Sequence, residues 1–143
     1  MGIRFGTLDA TPFHVAVKHR NHLALMTASS YPLNTGTPFL DMTSAATLLY
    51  GEAAAATVGN VRCLWMGDAN GDGVVRYAEA NNDKDAILEP LQDVPSGRLY
   101  GYHRADVDLD GVVKGAGISN DRDQVLFSLG GLSPLETRAA QLP

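Results

Sequence analysis

Two stretches in the second half of the chain place oxygen-bearing side chains at alternate positions, a pattern that can bind a metal ion. The first begins at Asp68 and reads DANGDGVVRYAEANNDKDAIL, and the second begins at Asp106 and reads DVDLDGVVKGAGISNDRDQVL. They align without a gap over 21 residues at an offset of 38, so they form an internal repeat. Hard cations such as Ca²⁺ take about six to eight oxygen ligands. The repeat therefore predicts two Ca²⁺ sites, one in each stretch.

The opening of each repeat supplies the predicted ligands. Side-chain oxygens stand at its first, third and fifth positions, a glycine at the sixth allows a sharp turn, and the seventh offers a backbone carbonyl. In the first repeat these ligands are Asp68, Asn70, Asp72 and the carbonyl of Val74; in the second they are Asp106, Asp108, Asp110 and the carbonyl of Val112. The alternative is a pair of Asp-Gly turns without a metal. Two such loops in register, whose carboxylates would repel one another without a cation, favour the metal sites.

The residue that closes each loop does not stand at the usual place. A standard loop of this kind closes at its twelfth position with a bidentate carboxylate. That position holds Glu79 in the first repeat but Gly117 in the second, and glycine has no side chain to offer. The twelfth residue is therefore not the shared ligand.

The shared feature is the later tetrapeptide, NDKD in the first repeat and NDRD in the second. Asn82 and Asn120 suit the N-cap of a helix, and Asp85 and Asp123 follow three residues later, on the first helical turn. We expect loops enlarged by six residues and closed by Asp85 and Asp123. The competing candidates for the closing ligand are Asp83 and Asp121.

Short elements must position these loops. The Val-Val pair after each glycine suits a short strand, and through these strands the two loops are expected to pair. Two short helices are expected after the loops, with an apolar face formed by Ile87, Leu88 and Leu91 in the first and by Val125, Leu126 and Leu129 in the second.

The first 66 residues are expected to be β-rich. FHVAVKH alternates in hydrophobicity as a half-buried strand does, HLALMT follows as a second strand after a turn at Arg20-Asn21, and NVRCLWMG leads into the first acidic loop. IRFGTLDA is a further strand candidate, and TSAATLLYGEAAAA is either a short helix or a loop. About four strands are too few for a closed sandwich, which takes around seven.

The predicted fold is therefore mixed and β-rich. Residues 1–66 form a partial, Ig-like β-sandwich, and residues 67–143 carry the tandem calcium loop-helix repeats, at 68–94 and 106–132. The unpaired edges of a partial sandwich would invite strand addition from a neighbouring domain or subunit.

Composition excludes several classes of function. The net charge is −5, and twelve of the 16 acidic residues lie between positions 68 and 123, which argues against a nucleic-acid partner. A single cysteine, Cys63, excludes an internal disulfide and a cysteine-based zinc site, and its apolar neighbours predict that it is buried. No apolar run is long enough to insert in a membrane. No nucleophile motif or phosphate loop is present, so no enzyme is expected.

The tandem arrangement resembles dockerin, a module of secreted bacterial proteins with paired EF-hand-type calcium loops. The resemblance lies in GDANGDG and ADVDLDG, which are similar to dockerin loop openings. The chain differs from dockerins in its enlarged loops and in lacking the Ser/Thr pair before the closing Asp. HRNHLALMT, LWMGDANGDG, NNDKD, NDRD and AAQLP also resemble the C-terminal regions of large secreted, multidomain Bacteroidota proteins.

The resemblance implies an extracellular, non-catalytic module. We expect a calcium-binding structural or adhesion module of a secreted bacterial protein, with neighbouring domains or subunits of an extracellular assembly as its partners and a homo-oligomer or filament as one outcome. The alternative is a docking module that recruits a separate partner domain. An exposed, near-symmetric patch on the two helices would favour docking, and a buried one the structural role.

Overall fold

The computed structural model describes residues 11–32, 40–131 and 133–143. These residues are β-rich, with small antiparallel sheets and two short α-helices, so the coarse prediction of a mixed, β-rich chain is confirmed. The strand candidate IRFGTLDA lies outside the described residues. Among them, no helix has both the length and the apolar character needed to cross a membrane.

Ten short strands pair two by two in the described part of the chain. The strands are β1 (Pro12–Phe13), β2 (Ala16–His19), β3 (His22–Met26), β4 (Tyr31–Pro32), β5 (Ala56–Val58), β6 (Val61–Cys63), β7 (Val74–Arg76), β8 (Arg98–Tyr100), β9 (Val112–Lys114) and β10 (Thr137–Ala139). The antiparallel pairs are β1 with β4, β2 with β3, β5 with β6, β7 with β10, and β8 with β9. The helices are α1 (Asp83–Leu88), which a 3-10 turn (Glu89–Leu91) continues, and α2 (Asp121–Ser128).

The β2–β3 hairpin is formed by the two strands that hydrophobic alternation predicts. Its turn lies at Arg20-Asn21, also as predicted. β3 turns Leu23 and Leu25 inward, with exposures of 1% and 4%, while the intervening residues are half-buried. The hairpin therefore contributes one apolar face to the core.

The alanine-rich segment from 43 to 56 forms turns and bends up to the start of β5 and contains no helix. Arg62 of β6 holds it in place, because its guanidinium donates to the carbonyls of Ser44 and Thr47. Since Arg62 uses the inner face of β6, Cys63 faces outward and is exposed. The prediction that Cys63 is buried was wrong, because β5 and β6 form a two-stranded ribbon with one open face.

The hydrophobic core is built mainly by the two repeats. Five of its side chains are fully buried, namely Val75, Ile87, Val107, Val113 and Val125, and Leu23 of the hairpin joins the same cluster. The second valine of each Val-Val pair thus faces the core. The predicted apolar helix faces contribute through Ile87 and Leu91 on one side and Val125 and Leu129 on the other.

The two loop strands, β7 and β9, do not pair with each other, which corrects the expectation from the Val-Val pairs. Instead, each pairs with a strand that follows the helix of the other repeat. β8 follows α1 and pairs with β9, and β10 follows α2 and pairs with β7. Equivalent bonds extend both ribbons, from Gly101 N–H to the Gly111 carbonyl at 3.0 Å and from Ala140 N–H to the Gly73 carbonyl at 2.8 Å. The repeats are therefore related by an approximate twofold exchange of strands.

Candidate metal centre

In the opening of the first loop, side-chain oxygens accept hydrogen bonds from backbone N–H groups of the same loop. Asp68 Oδ2 accepts from the Gly73 N–H at 3.2 Å, Asn70 Oδ1 from the Asp72 N–H at 2.8 Å, and Asp72 Oδ1 from the Val74 N–H at 2.9 Å. Gly73 has a φ of 83°, where a side chain would be strained. The loop therefore turns its first, third and fifth side chains inward on a tight backbone.

The second loop repeats this geometry. Asp106 Oδ2 accepts from the Gly111 N–H at 3.2 Å, Asp108 Oδ1 from the Asp110 N–H at 3.2 Å, and Asp110 Oδ1 from the Val112 N–H at 2.9 Å. Oxygen atoms of the three aspartates all lie within 4.8 Å of one another. These three carboxylates are thus gathered as the repeat predicts.

Asp83 and Asp121 reach back across the loops from the first residue of each helix. Both are fully buried. Asp83 accepts from the Asn70 N–H at 3.2 Å and from the Arg76 N–H at 2.8 Å. Asp121 accepts from the Val107 N–H at 2.7 Å and from the Lys114 N–H at 2.8 Å. Each carboxylate ties the opening of its loop to the loop strand.

Asp85 and Asp123, the expected closing ligands, face solvent instead. Their side chains are 65% and 56% exposed, and they pair with Lys84 and Arg122. Asn82 and Asn120 do cap the helices as predicted, accepting from the N–H of Asp85 and Asp123 at 2.9 Å. Two residues along a helix turn the side chain by about 200°. Because the first helical residue faces the loop, the third points away, so the geometry favours the competing candidates Asp83 and Asp121.

The carbonyls of Val74 and Val112 lie on the loop side of their strands. The N–H of Val74 and of Arg76 both donate to loop aspartates rather than to β10. In an extended strand the N–H and the carbonyl of one residue share an edge. The same holds for Val112 in β9. The carbonyls of Val74 and Val112 therefore face their own loops rather than the partner strands.

One carboxylate oxygen in each loop is buried without a hydrogen bond. Asp68 Oδ1 and Asp106 Oδ1 have no partner among the described residues, although these residues are only 6% and 2% exposed. Asp68 and Asp106 occupy the same first position of the two repeats. Buried polar atoms are nearly always paired, and an unpaired charged oxygen is costly. The same orphaned atom therefore stands at the same position in both loops.

Burial disfavours negative charge at four aspartates of the loops, two in each repeat. Burial raises the pKa of Asp83 and of Asp121 to about 6, against the partial opposition of their backbone hydrogen bonds. Burial also raises the pKa of Asp68 and Asp108, to which the neighbouring carboxylates of Asp72 and Asp110 add. A bound cation would reverse this effect, because it favours the ionised form of every carboxylate around it.

Two basic side chains already neutralise part of this charge. Arg76 Nη1 lies 3.0 Å from Asp72 Oδ2, and Lys114 Nζ lies 2.5 Å from Asp110 Oδ2. Both occupy the ninth position of their repeat, and the hydrogen bond from Lys114 lowers the pKa of Asp110. The repeat alignment shows this Arg/Lys match, but sequence reasoning assigned it no role.

Sequence reasoning also missed the part played by the hairpin turn. Arg20 Nη2 lies 3.5 Å from Asp106 Oδ2, and Asn21 bonds to the openings of both loops. No local signal marks these residues, because their partners lie more than 40 positions away. In the same turn the Nδ1 atoms of His19 and His22 lie 3.1 Å apart, but no third ligand completes a metal site with them among the described residues.

No family profile matches the chain, and neither a curated protein nor a solved structure matches it significantly.

Proposed function

We propose that this chain is a non-enzymatic, calcium-binding structural and adhesion module of a secreted bacterial protein, with one Ca²⁺ in each repeat. The observation that carries the proposal is the buried, unpartnered oxygen at the first position of both loops, Asp68 Oδ1 and Asp106 Oδ1. The proposed ligands are Asp68, Asn70, Asp72, the Val74 carbonyl and Asp83 in the first loop, and Asp106, Asp108, Asp110, the Val112 carbonyl and Asp121 in the second.

The donor set suits Ca²⁺ better than other biological cations. Each loop offers oxygen atoms only, from carboxylates, a backbone carbonyl and, in the first loop, an amide. Zn²⁺ favours nitrogen and sulfur ligands, and Mg²⁺ demands near-ideal octahedral geometry and keeps several waters. A tightly turned loop that offers five or more protein oxygens fits the larger and more flexible coordination shell of Ca²⁺.

An extracellular role accords with the features of the loops. Arg76 and Lys114 compete for the fifth-position carboxylates, which implies modest affinity, and modest sites fill at the millimolar calcium of extracellular fluids. A dockerin-like origin of the repeats and a partial Ig-like sandwich before them are parts of the same proposal. The expected neighbours are other domains or subunits of an extracellular assembly.

The packing of the helices favours the structural role over a docking role. Ile87 and Val125, the central apolar residues of α1 and α2, are fully buried in the core. Phe127 on α2 is 71% exposed, but its counterpart in the first repeat is Glu89, so the two helices differ at this exposed position.

Calcium titration of the chelator-stripped chain tests the proposal. Calorimetry should give two ions for the wild type, one for Asp72→Ala, one for Asp110→Ala and none for the double variant. Asp93→Ala is the matched control, because it removes an exposed carboxylate outside both loops and should still bind two. A wild-type stoichiometry of zero, or full binding by the double variant, would overturn the metal sites.

A further inference from the structure

The turn of the β2–β3 hairpin touches the opening of both loops through one residue. Asn21 is fully buried. Its backbone carbonyl accepts from the N–H of Gly67 and of Asp68, each at 3.1 Å, where the first loop begins. Its side-chain amide donates to the carbonyls of Arg104 at 2.8 Å and Asp106 at 2.5 Å, where the second loop begins. The backbone of the first aspartate of each loop is thus hydrogen-bonded to Asn21.

A second connection joins the loops directly. The Arg104 side chain leaves the opening of the second loop and donates from Nη1 to the Asn70 carbonyl of the first loop at 2.9 Å. This path requires glycine at position 71, since a Cβ there would lie 1.7 Å from Arg104 Nη1. The neighbouring Arg20 packs over the Tyr102 ring at 3.7 Å and donates to the His103 carbonyl, so the same opening is held from the hairpin side as well.

We propose that Asn21 is the residue that couples the two loops, so that Ca²⁺ binds to them with positive cooperativity. This inference rests on the proposed calcium function. A cation in one loop fixes its first aspartate, and Asn21 then holds the backbone of the other first aspartate in the liganding position. The entropic cost of ordering the turn and both openings falls on the first ion, and the second binds to a site already ordered. The coupling runs through Asn21 and through Arg104, whose carbonyl Asn21 holds and whose side chain reaches the first loop, since β7 and β9 do not pair with each other.

The test is a stepwise calcium titration of the full chain against a chromophoric chelator. The wild type should bind the second ion at least about fivefold more tightly than independent sites allow, the lower end of typical coupling. Asn21→Ala removes the bonds to Arg104 and Asp106 but keeps the backbone carbonyl, and its two sites should bind independently. Thr27→Val is the matched control, because it removes a buried hydroxyl that accepts from Val15 N–H in the same hairpin and touches neither loop. It should remain cooperative.

A second readout separates coupling from a general loss of structure. In Asp110→Ala, whose second loop lacks one ligand, calcium in the first loop should still slow amide exchange at residues 106–111. Adding Asn21→Ala should abolish that slowing while leaving calcium bound to the first loop. A purely structural role of Asn21 would change exchange equally with and without calcium.

The outcomes distinguish this inference from the function on which it rests. A wild type that binds no calcium overturns both. A wild type that binds two ions independently, or an Asn21→Ala chain as cooperative as the wild type, overturns the coupling and leaves the calcium function standing. If Asn21→Ala does not fold, Arg104→Gln decides by the same criterion, since its side chain is exposed and it carries the direct link.

Discussion

At the scale of single residues, the choice between two aspartates two positions apart decides how each loop closes. Asp83 and Asp121 are buried and bond across the loops, whereas Asp85 and Asp123 pair with basic neighbours in solvent. The pKa shifts agree with this division. Burial raises the pKa of Asp83 to about 6, whereas the hydrogen bond from Asn82 lowers the pKa of Asp85.

Substitution of the two aspartates should separate their roles. Asp83→Asn should weaken calcium binding at the first site by about tenfold or more, because affinity follows the number of charged ligands. Asp85→Asn should change it by no more than a factor of a few. Glu79→Gln, which alters the exposed twelfth position, should behave like Asp85→Asn. Calcium titration of each variant in an Asp110→Ala background isolates the first site. If Asp85→Asn lowers the calcium affinity more than Asp83→Asn does, Asp85 is the closing ligand and Asp83 is not.

Lys114 should act as an internal competitor of the second ion. Its ammonium holds Asp110, and the residue is only 8% exposed. Lys114→Met should therefore raise calcium affinity at the second site by several-fold and lower the stability of the metal-free chain, because Asp110 loses the cation that pairs with it. Arg122→Met makes the same change of net charge at a solvent-exposed pair outside the loop and should leave affinity nearly unchanged. If Lys114→Met and Arg122→Met change the calcium affinity equally, Lys114 acts only through the net charge of the chain and does not compete with the ion for Asp110.

At the scale of elements, the hairpin and the two repeats are joined by polar contacts as well as by the core. His22 lies at this junction, with Nδ1 2.8 Å from Asn21 Oδ1. Burial lowers its pKa from 6.5 to about 4, and the neighbouring His19 and Arg20 add to the effect. The folded chain thus holds His22 neutral at the pH where the unfolded chain would protonate it.

The stability of the hairpin junction should therefore depend on pH. Between pH 6.5 and about 4 the unfolded state takes up a proton at His22 that the folded state does not, so this contribution to stability is full above pH 6.5 and is lost as the pH falls towards 4. Asp83 and Asp121 titrate in the same window with the opposite sign. Urea unfolding of the wild type and of His22→Gln at each pH gives the difference between their free energies of unfolding. The contributions of Asp83 and Asp121 cancel in this difference, because both chains carry these residues. A difference that is independent of pH would contradict the buried, neutral histidine.

At the scale of the whole molecule, the two acidic loops and the core are parts of one structure. The loop strands carry Val75 and Val113 into the core, and Asp83 and Asp121 begin the helices that pack beside them. Ordering the loops and burying the core are therefore linked events. Calcium binding should act as folding free energy.

Thermal unfolding should show this link. Saturating calcium should raise the melting temperature by about 10 °C or more relative to chelator, since two sites filled well above their dissociation constants each contribute about 3 kcal/mol. Magnesium at the same concentration should give a much smaller shift. The Asp72→Ala, Asp110→Ala double variant should lose the calcium response. Superimposable melts of the wild type with calcium and with chelator would show that the loops hold their shape unaided.

Assembly by strand addition remains a prediction at this scale. Every sheet in the described residues has two strands. Backbone bonds from Leu23 to Trp65 and from Arg62 to Thr43 occupy part of the outer edges of β3 and β6, and the remaining edges are the candidates for pairing with another chain. The expected outcome is concentration-dependent association of the isolated chain, visible by light scattering and as filaments by microscopy. A monomer at all concentrations would contradict it.

Local spacing was enough to identify the repeat, the inward side chains of each loop opening, the glycine turns and the asparagine caps, because each depends on contacts within a few residues. Strand alternation likewise sufficed for the β2–β3 hairpin. Both closing candidates were recognised from the tetrapeptides, but the choice between them depends on which face of the helix meets the loop. The partners of β7 and β9, the exposure of Cys63 and the position of Asn21 between the two loops depend on contacts between distant segments. Such contacts arise from packing around a shared core, which leaves no periodic or local trace in the order of the residues.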